Sequence, residues 1–184
     1  MNEQKKKKLC YFLASGLGAG FLPKSPGTFG TLSAMLFYSL LIFIFNMKFH
    51  HGQYIIYILC LYSIIVGTYL SNKILTFQEN KDLKDPQFIV IDEWAGYFIT
   101  ILFASSFTEV CVGFVFFRIF DIWKPWLVGK AENLKGGYGI MADDIVAGLF
   151  SLFFMCLIFR NLFFKLVLHS FSVFYHQIMY FFFV

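Results

Sequence analysis

The sequence predicts an all-α, polytopic helical membrane protein with about five to six apolar helices and a site at the cytoplasmic face. Three observations predict it. Hydrophobic residues make up 59% of the 184 residues and charged residues only 14%, where a soluble domain carries about 25% charged, so there is too little polar surface for water. The apolar runs are long and repeated, close to the roughly 20 residues a helix needs to cross hydrocarbon. Five of the eleven acidic residues stand in three tight places, Asp92-Glu93, Asp121 and Asp143-Asp144, each bordering an apolar segment. Carboxylates are costly beside hydrocarbon, so at membrane depth they mark a site rather than a surface.

The apolar segments are read as helices at about 28–47, 54–71, 88–104, 108–120 and 144–159 or beyond. The fourth is short for a span and sits partly within the interface or tilts little. The tail at 162–184, with His169 and His176 inside it, is either a sixth span or a helix lying in the interface. One domain, 1–184, accounts for the length, with a basic segment at 1–13 and an apolar tail of open placement at 160–184. The apolar start is broken by Ser15, Gly16, Gly18 and Gly20 and no clear cleavage site follows, so it is expected to be retained.

Charge gives the orientation. The net charge is +4, with Lys5 to Lys8 in one block. Before apolar segments such a block suits anionic headgroups or topology signalling. No aromatic-plus-basic pattern or zinc spacing supports nucleic-acid binding. With the N-terminus in the cytoplasm, the loops carrying Lys73, Lys81 and Lys84, and Lys124, Lys130 and Lys135, also lie inside, as the positive-inside rule asks. All three acidic places then come to the cytoplasmic face. Cys10, Cys60, Cys111 and Cys156 form no CxxC pair and read as buried, inert thiols.

Four motifs carry the chemistry. The stretch from Ser15 to Gly30 alternates glycines, whose backbone permits close approach to an anion and whose amides can form a nest. Lys24, Ser25 and Thr28 add donors, although small-residue helix packing competes as an explanation. In the second, Asp85-Pro86 resembles a cap followed by proline in the first helical turn, and the neighbouring carboxylates Asp92 and Glu93 repel unless a cation or proton relieves them. In the third, Arg118, Asp121 and Lys124 are three apart on one helical face, and Pro125 turns the chain after Lys124. Arg118 and Lys124 suit a phosphate and Asp121 a metal. In the fourth, glycines at 136, 137 and 139 precede Asp143, a natural N-cap, with Asp144 beside it. His50, His51, His169 and His176 form no Ser-His-Asp arrangement the topology would allow.

Together the pieces GLGAGFLPKSPGTFGTL, DPQFIVIDEWAG, FRIFDIWKP and GGYGIMADDIVAG, in this order, resemble the phosphatidylglycerophosphatase A family, covering about 14–148. One departure is Leu127, where proline is expected after Lys-Pro-Trp. The resemblance implies Mg²⁺-dependent hydrolysis of phosphatidylglycerophosphate to phosphatidylglycerol and inorganic phosphate, in a bacterial inner membrane. Asp92, Glu93, Asp121, Asp143 and Asp144 would be the catalytic and Mg²⁺-ligating set. Lys24, Ser25, Thr28, Arg118 and Lys124 would hold the phosphate. Rival chemistries fit less well. A cysteine phosphatase needs C-x5-R, but six residues separate Cys111 from Arg118. A CDP-alcohol phosphatidyltransferase needs an aspartate where Ala147 stands. A small transporter would carry its carboxylates at mid-membrane.

Overall fold

The computed structural model describes residues 2–48, 52–77, 86–131 and 134–183, without the side chains of 161–183. Asp85, Lys81, Lys84, His50 and His51 lie outside the described residues, as do the side chains of His169 and His176. The described chain is helical throughout: α1 Glu3–Ala14, α2 Pro26–Ile44, α3 Gln53–Leu75, α4 Ile91–Thr100, α5 Phe107–Trp123, α6 Trp126–Ala131 and α7 Gly137–Phe183. Among the described residues, three segments are long and apolar enough to cross a membrane: Pro26–Ile44, Gln53–Leu75 and Gly137–Arg160.

The segment read as a third span is the centre of the fold, and it is shorter than expected. Helix α4 covers ten residues, about 15 Å at 1.5 Å per residue, half of a ~30 Å hydrocarbon layer. A turn at Ile101 closes it, with the Ile101 N–H on the Tyr97 carbonyl at 3.2 Å. Such an interrupted helix is tolerable because α7, α3, α2 and α5 pack around it. Non-helical backbone is admissible among apolar helices where protein, not lipid, encloses it. Every α4 residue except Glu93 is buried, as an all-round apolar helix must be.

The start of α4 also departs from the cap expected at Asp85-Pro86. The helix begins at Ile91, after Pro86 has closed a turn by accepting the Ile89 N–H at 2.9 Å. The Val90 N–H then bonds to the Ala14 carbonyl at 2.9 Å, tying this strap to the end of α1. Glycines permit the approach. A Cβ on Gly20 would run into the Phe88 backbone, and one on Gly30 would meet the Val90 side chain.

The remaining boundaries follow from local chemistry. Ser106 caps α5, its hydroxyl accepting the Glu109 N–H at 3.3 Å, while the Glu109 carboxylate reaches one residue further back and takes the Ser105 N–H at 3.1 Å and hydroxyl at 2.8 Å. Helix α5 stops at Trp123, and Lys124 adopts a left-handed conformation (φ 45°) ahead of Pro125. The short α6 that follows holds Leu127, half exposed at 46%. Helix α7 starts at Gly137, not at Asp144, because Asn72 of α3 supplies the cap, its side-chain oxygen accepting the Gly137 N–H at 2.9 Å. Asp143 is therefore inside the helix and is not its N-cap.

Helices α4 and α7 touch along their backbones. A Cβ on Gly148 would meet Gly96 backbone atoms, and one on Gly96 would meet the Asp144 carbonyl and the Phe117 ring. Small residues are what allow helices this close in an apolar surround. Gly148→Leu should therefore lower stability by about 1–3 kcal/mol or more through overpacking, seen as a reduced melting temperature of the detergent-solubilised protein. An unchanged melting temperature would show that the seam is not tight.

Candidate functional site

The acidic residues converge at one end of the bundle, where α2, α4 and α7 begin and α3 and α5 finish. Asp92 and Glu93 lie in the first turn of α4. Asp144 reaches them from α7, and one carboxylate oxygen from each of the three lies within 4.8 Å of the others, a set able to hold a metal ion. Asp92 and Asp144 are 8% and 4% exposed. Glu93 Oε2 is buried without a hydrogen-bond partner.

Two cations stand among the carboxylates: Arg118 on the acid the linear spacing suggests, Lys124 on a different one. Arg118 Nη1 pairs with Asp121 one turn along α5. Asp121 in turn faces Asp144 and Glu93. Lys124 pairs with a different acid. Its left-handed backbone turns the side chain off the α5 face, and Nζ reaches across to Asp143 Oδ2 at 2.9 Å. Asp143 is thereby drawn toward Lys124, beside the tight trio of Asp92, Glu93 and Asp144, while its Oδ1 stays buried without a hydrogen bond. Four carboxylates (Asp92, Glu93, Asp121, Asp144) thus crowd together, with the Arg118 guanidinium paired to Asp121. Like charges packed so closely call for a cation or a proton. Oxygen donors alone suit a hard divalent ion.

The first turn of α2 closes the site. A Cβ on Gly27 would press on Glu93 Oε1 and lie 3.1 Å from Arg118 Nη1, so only glycine leaves room between them. Thr31, one turn on, donates to the Gly27 carbonyl at 2.9 Å and accepts from Arg118 Nη1 at 3.5 Å. Lys24 and Ser25 are exposed just before this helix, and Thr28 is half-buried in its first turn. The rest of the glycine stretch works differently from an anion nest. The amides of Gly16, Leu17, Gly18, Ala19 and Gly20 bond to carbonyls from Phe12 to Gly16. Thr31 and Asn72 received no role from sequence, and Gly27 only a shared one with the other glycines of the first motif; Thr31 stands just past that motif, and Asn72 is a polar residue closing an apolar run.

Comparison with known proteins adds to this. The profile of the family described as Phosphatidylglycerophosphatase A matches residues 12–159. The Escherichia coli phosphatidylglycerophosphatase A is 38% identical over 146 residues, 77% of this chain and 78% of that protein. The Haemophilus influenzae phosphatidylglycerophosphatase A is 31% identical over 77% of this chain and 83% of its own. A Bacteroides thetaiotaomicron protein with the provisional name phosphatidylinositol-3-phosphatase is 36% identical over 76% of this chain and 86% of its own. No solved structure matches the chain.

Arg118 is the cation on which the cluster leans. Arg118→Ala should destabilise the protein by about 3 kcal/mol, the cost of leaving a buried charge uncompensated. Adding Asp121→Asn should restore part of the loss. Thermal denaturation of the single and double variants checks this, and an absence of recovery in the double variant would show that the two residues act independently.

Proposed function

We infer the activity from membership: the chain belongs to the phosphatidylglycerophosphatase A family. On this reading it hydrolyses phosphatidylglycerophosphate to phosphatidylglycerol and inorganic phosphate. The observation that carries the reading is the meeting of Asp92, Glu93 and Asp144 in one buried cluster beside the Arg118–Asp121 pair.

Water attacks the terminal phosphorus, a P–O bond forms to it, and the bond to the glycerol oxygen breaks. A carboxylate of the cluster accepts the proton of the attacking water, and the glycerol oxygen leaves as a hydroxyl after gaining a proton. Arg118 and the open amides of the first turn of α2 bind the phosphoryl oxygens as charge builds on them, with Gly27 giving the backbone room to approach. Lys24, Ser25 and Thr28 stand at the same helix start, placed to meet a phosphate arriving from water. Lys124 pairs with Asp143 and fixes it beside the trio. The donors that would hold Mg²⁺ are Asp92, Glu93 and Asp144, with Asp121 next to them; the buried, unbonded Glu93 Oε2 fits a ligand oxygen awaiting its cation. When bound, Mg²⁺ supplies polarisation of the phosphoryl group and a more acidic water.

The proposed location is the cytoplasmic membrane of a bacterium, with the site facing the cytoplasm. What supports this is that the end holding the carboxylates also holds the basic residues. Lys7 lies over Phe77 just past α3, Lys73 is in the last turn of α3, Lys124 precedes α6 and Lys130 is in its last turn. Basic ends stay inside.

Purified protein in detergent should release phosphate from phosphatidylglycerophosphate with Mg²⁺ present and none after EDTA. Asp92→Asn and Asp144→Asn should each lower kcat by about 100-fold or more, the scale of losing an electrostatic group at the reacting centre. Retained activity in both variants would remove the site assignment. Faster turnover of phosphatidylinositol 3-phosphate would instead move the substrate toward that of the Bacteroides relative's name. For orientation, Lys24→Cys in a protein lacking the native cysteines should react with an impermeant thiol reagent in inside-out vesicles and not in right-side-out ones. The reverse pattern would invert the topology.

A further inference from the structure

The glycine stretch bonds its own amides, yet Gly16 and Leu17 do have a surface role. They form the mouth of an apolar groove of about 330 Å³ on the other side of α4 from the carboxylates. That size lies at the low end of ligand pockets, roughly 300–1,000 Å³. The long wall is α3, from Leu70 up to Ile58, a run of about 18 Å at 1.5 Å per residue. Phe37 of α2 forms the facing wall, and Ile91 and Trp94 of α4 form the floor. Trp94 is held there, its ring 5.2 Å from that of Phe37 and its Nε1 donating to Ser33 Oγ at 2.9 Å.

Three features identify the occupant. The lining is apolar, and Ile58 and Tyr62 on its edge are 68% and 45% exposed. The groove therefore opens sideways between α2 and α3, both long enough to cross a membrane, so that it opens into hydrocarbon. The groove also backs onto the site across α4: Ile91 and Trp94 of its floor bracket Asp92 and Glu93 in a single turn of that helix. Finally, its mouth is shaped at a cost. Gly16 has φ +56°, and a Cβ there would lie 2.7 Å from Trp94 Nε1.

We propose that this groove seats one acyl chain of the phospholipid substrate, with the glycerol end at Gly16 and Leu17 and the headgroup passing around the start of α4 to the carboxylates. This rests on the phospholipid-phosphatase reading above. One helix width, about 10 Å, separates groove from cluster. The glycerol–phosphate–glycerol chain between acyl groups and terminal phosphate is long enough to cover it. The acyl chain thus registers the lipid along α3 before its phosphate reaches the site.

Filling the groove tests this. Val66→Trp and Leu59→Trp, on the α3 wall and away from the carboxylates, are compared with wild type on dipalmitoyl and dihexanoyl phosphatidylglycerophosphate in detergent. The expected result is a fall of about tenfold or more in kcat/KM for the long-chain substrate, with the short-chain value nearly unchanged. Unchanged long-chain kinetics, or an equal fall on both substrates at an unchanged melting temperature, overturns the proposal. If the variants lose their fold, wild-type protein decides through photolabelling by phosphatidylglycerol with a diazirine in its acyl chain. Labels on the 58–70 face of α3 support the groove, and labels only elsewhere overturn it. Wild-type protein inactive on both substrates would remove the phosphatase reading, while the photolabel still reports on the groove.

Discussion

Mutual repulsion among buried carboxylates is the constraint around which this molecule is arranged. Asp92, Glu93, Asp121 and Asp144 come from three helices into one enclosed volume. Left to themselves they would push those helices apart or take up protons. The fold answers in two ways. Arg118 is inserted against Asp121 and steadied by Thr31, which is itself fully buried. Packing behind the cluster is made rigid: Tyr97, Phe98 and Phe117 are buried completely, and the Tyr97 hydroxyl is tied to the Val110 carbonyl at 2.9 Å. The charge that remains uncompensated is what an oxygen-seeking cation would neutralise. Stability and chemistry are thus coupled at the same atoms.

Much of this was legible in the sequence, and what was not has identifiable physical reasons. The long apolar runs gave α2 and α3 to within a few residues, and the charge bias of the loops put the three acidic places on one face; in the structure Asp92, Glu93 and Asp144 meet at one end of the bundle with Asp121 close by. Hydropathy could not foresee the length of α4. It measures what a side chain loses or gains in hydrocarbon, and is blind to whether other helices will enclose the backbone and so let it stop early. The start of α7 was missed because its cap comes from Asn72, sixty-five positions away in sequence. Spacing rules for helix faces paired Lys124 with Asp121, but those rules hold only while the backbone remains helical. At φ 45° it does not, and the ammonium goes to Asp143.

The glycines show how one composition can serve two purposes. At Gly27 the missing side chain makes room between a carboxylate and a guanidinium, which is a matter of chemistry. At Gly20 and Gly30 it lets the strap before α4 lie flat on α1 and α2, which is a matter of packing. A sequence reading sees one glycine-rich loop. Only the neighbours of each Cβ position tell the two uses apart.

The seam between Gly96 and Gly148 has a reach beyond packing. Asp92 precedes Gly96 by one helical turn, and Asp144 precedes Gly148 by the same interval. The two helices run side by side in the same direction, so backbone contact at the glycines works as a ruler. It fixes how far apart the carboxylates of Asp92 and Asp144 stand, from a place that bears no charge. A substitution there would change the spacing of those carboxylates. Inheritance of the acids alone, without this uncharged gauge behind them, would not transmit the site.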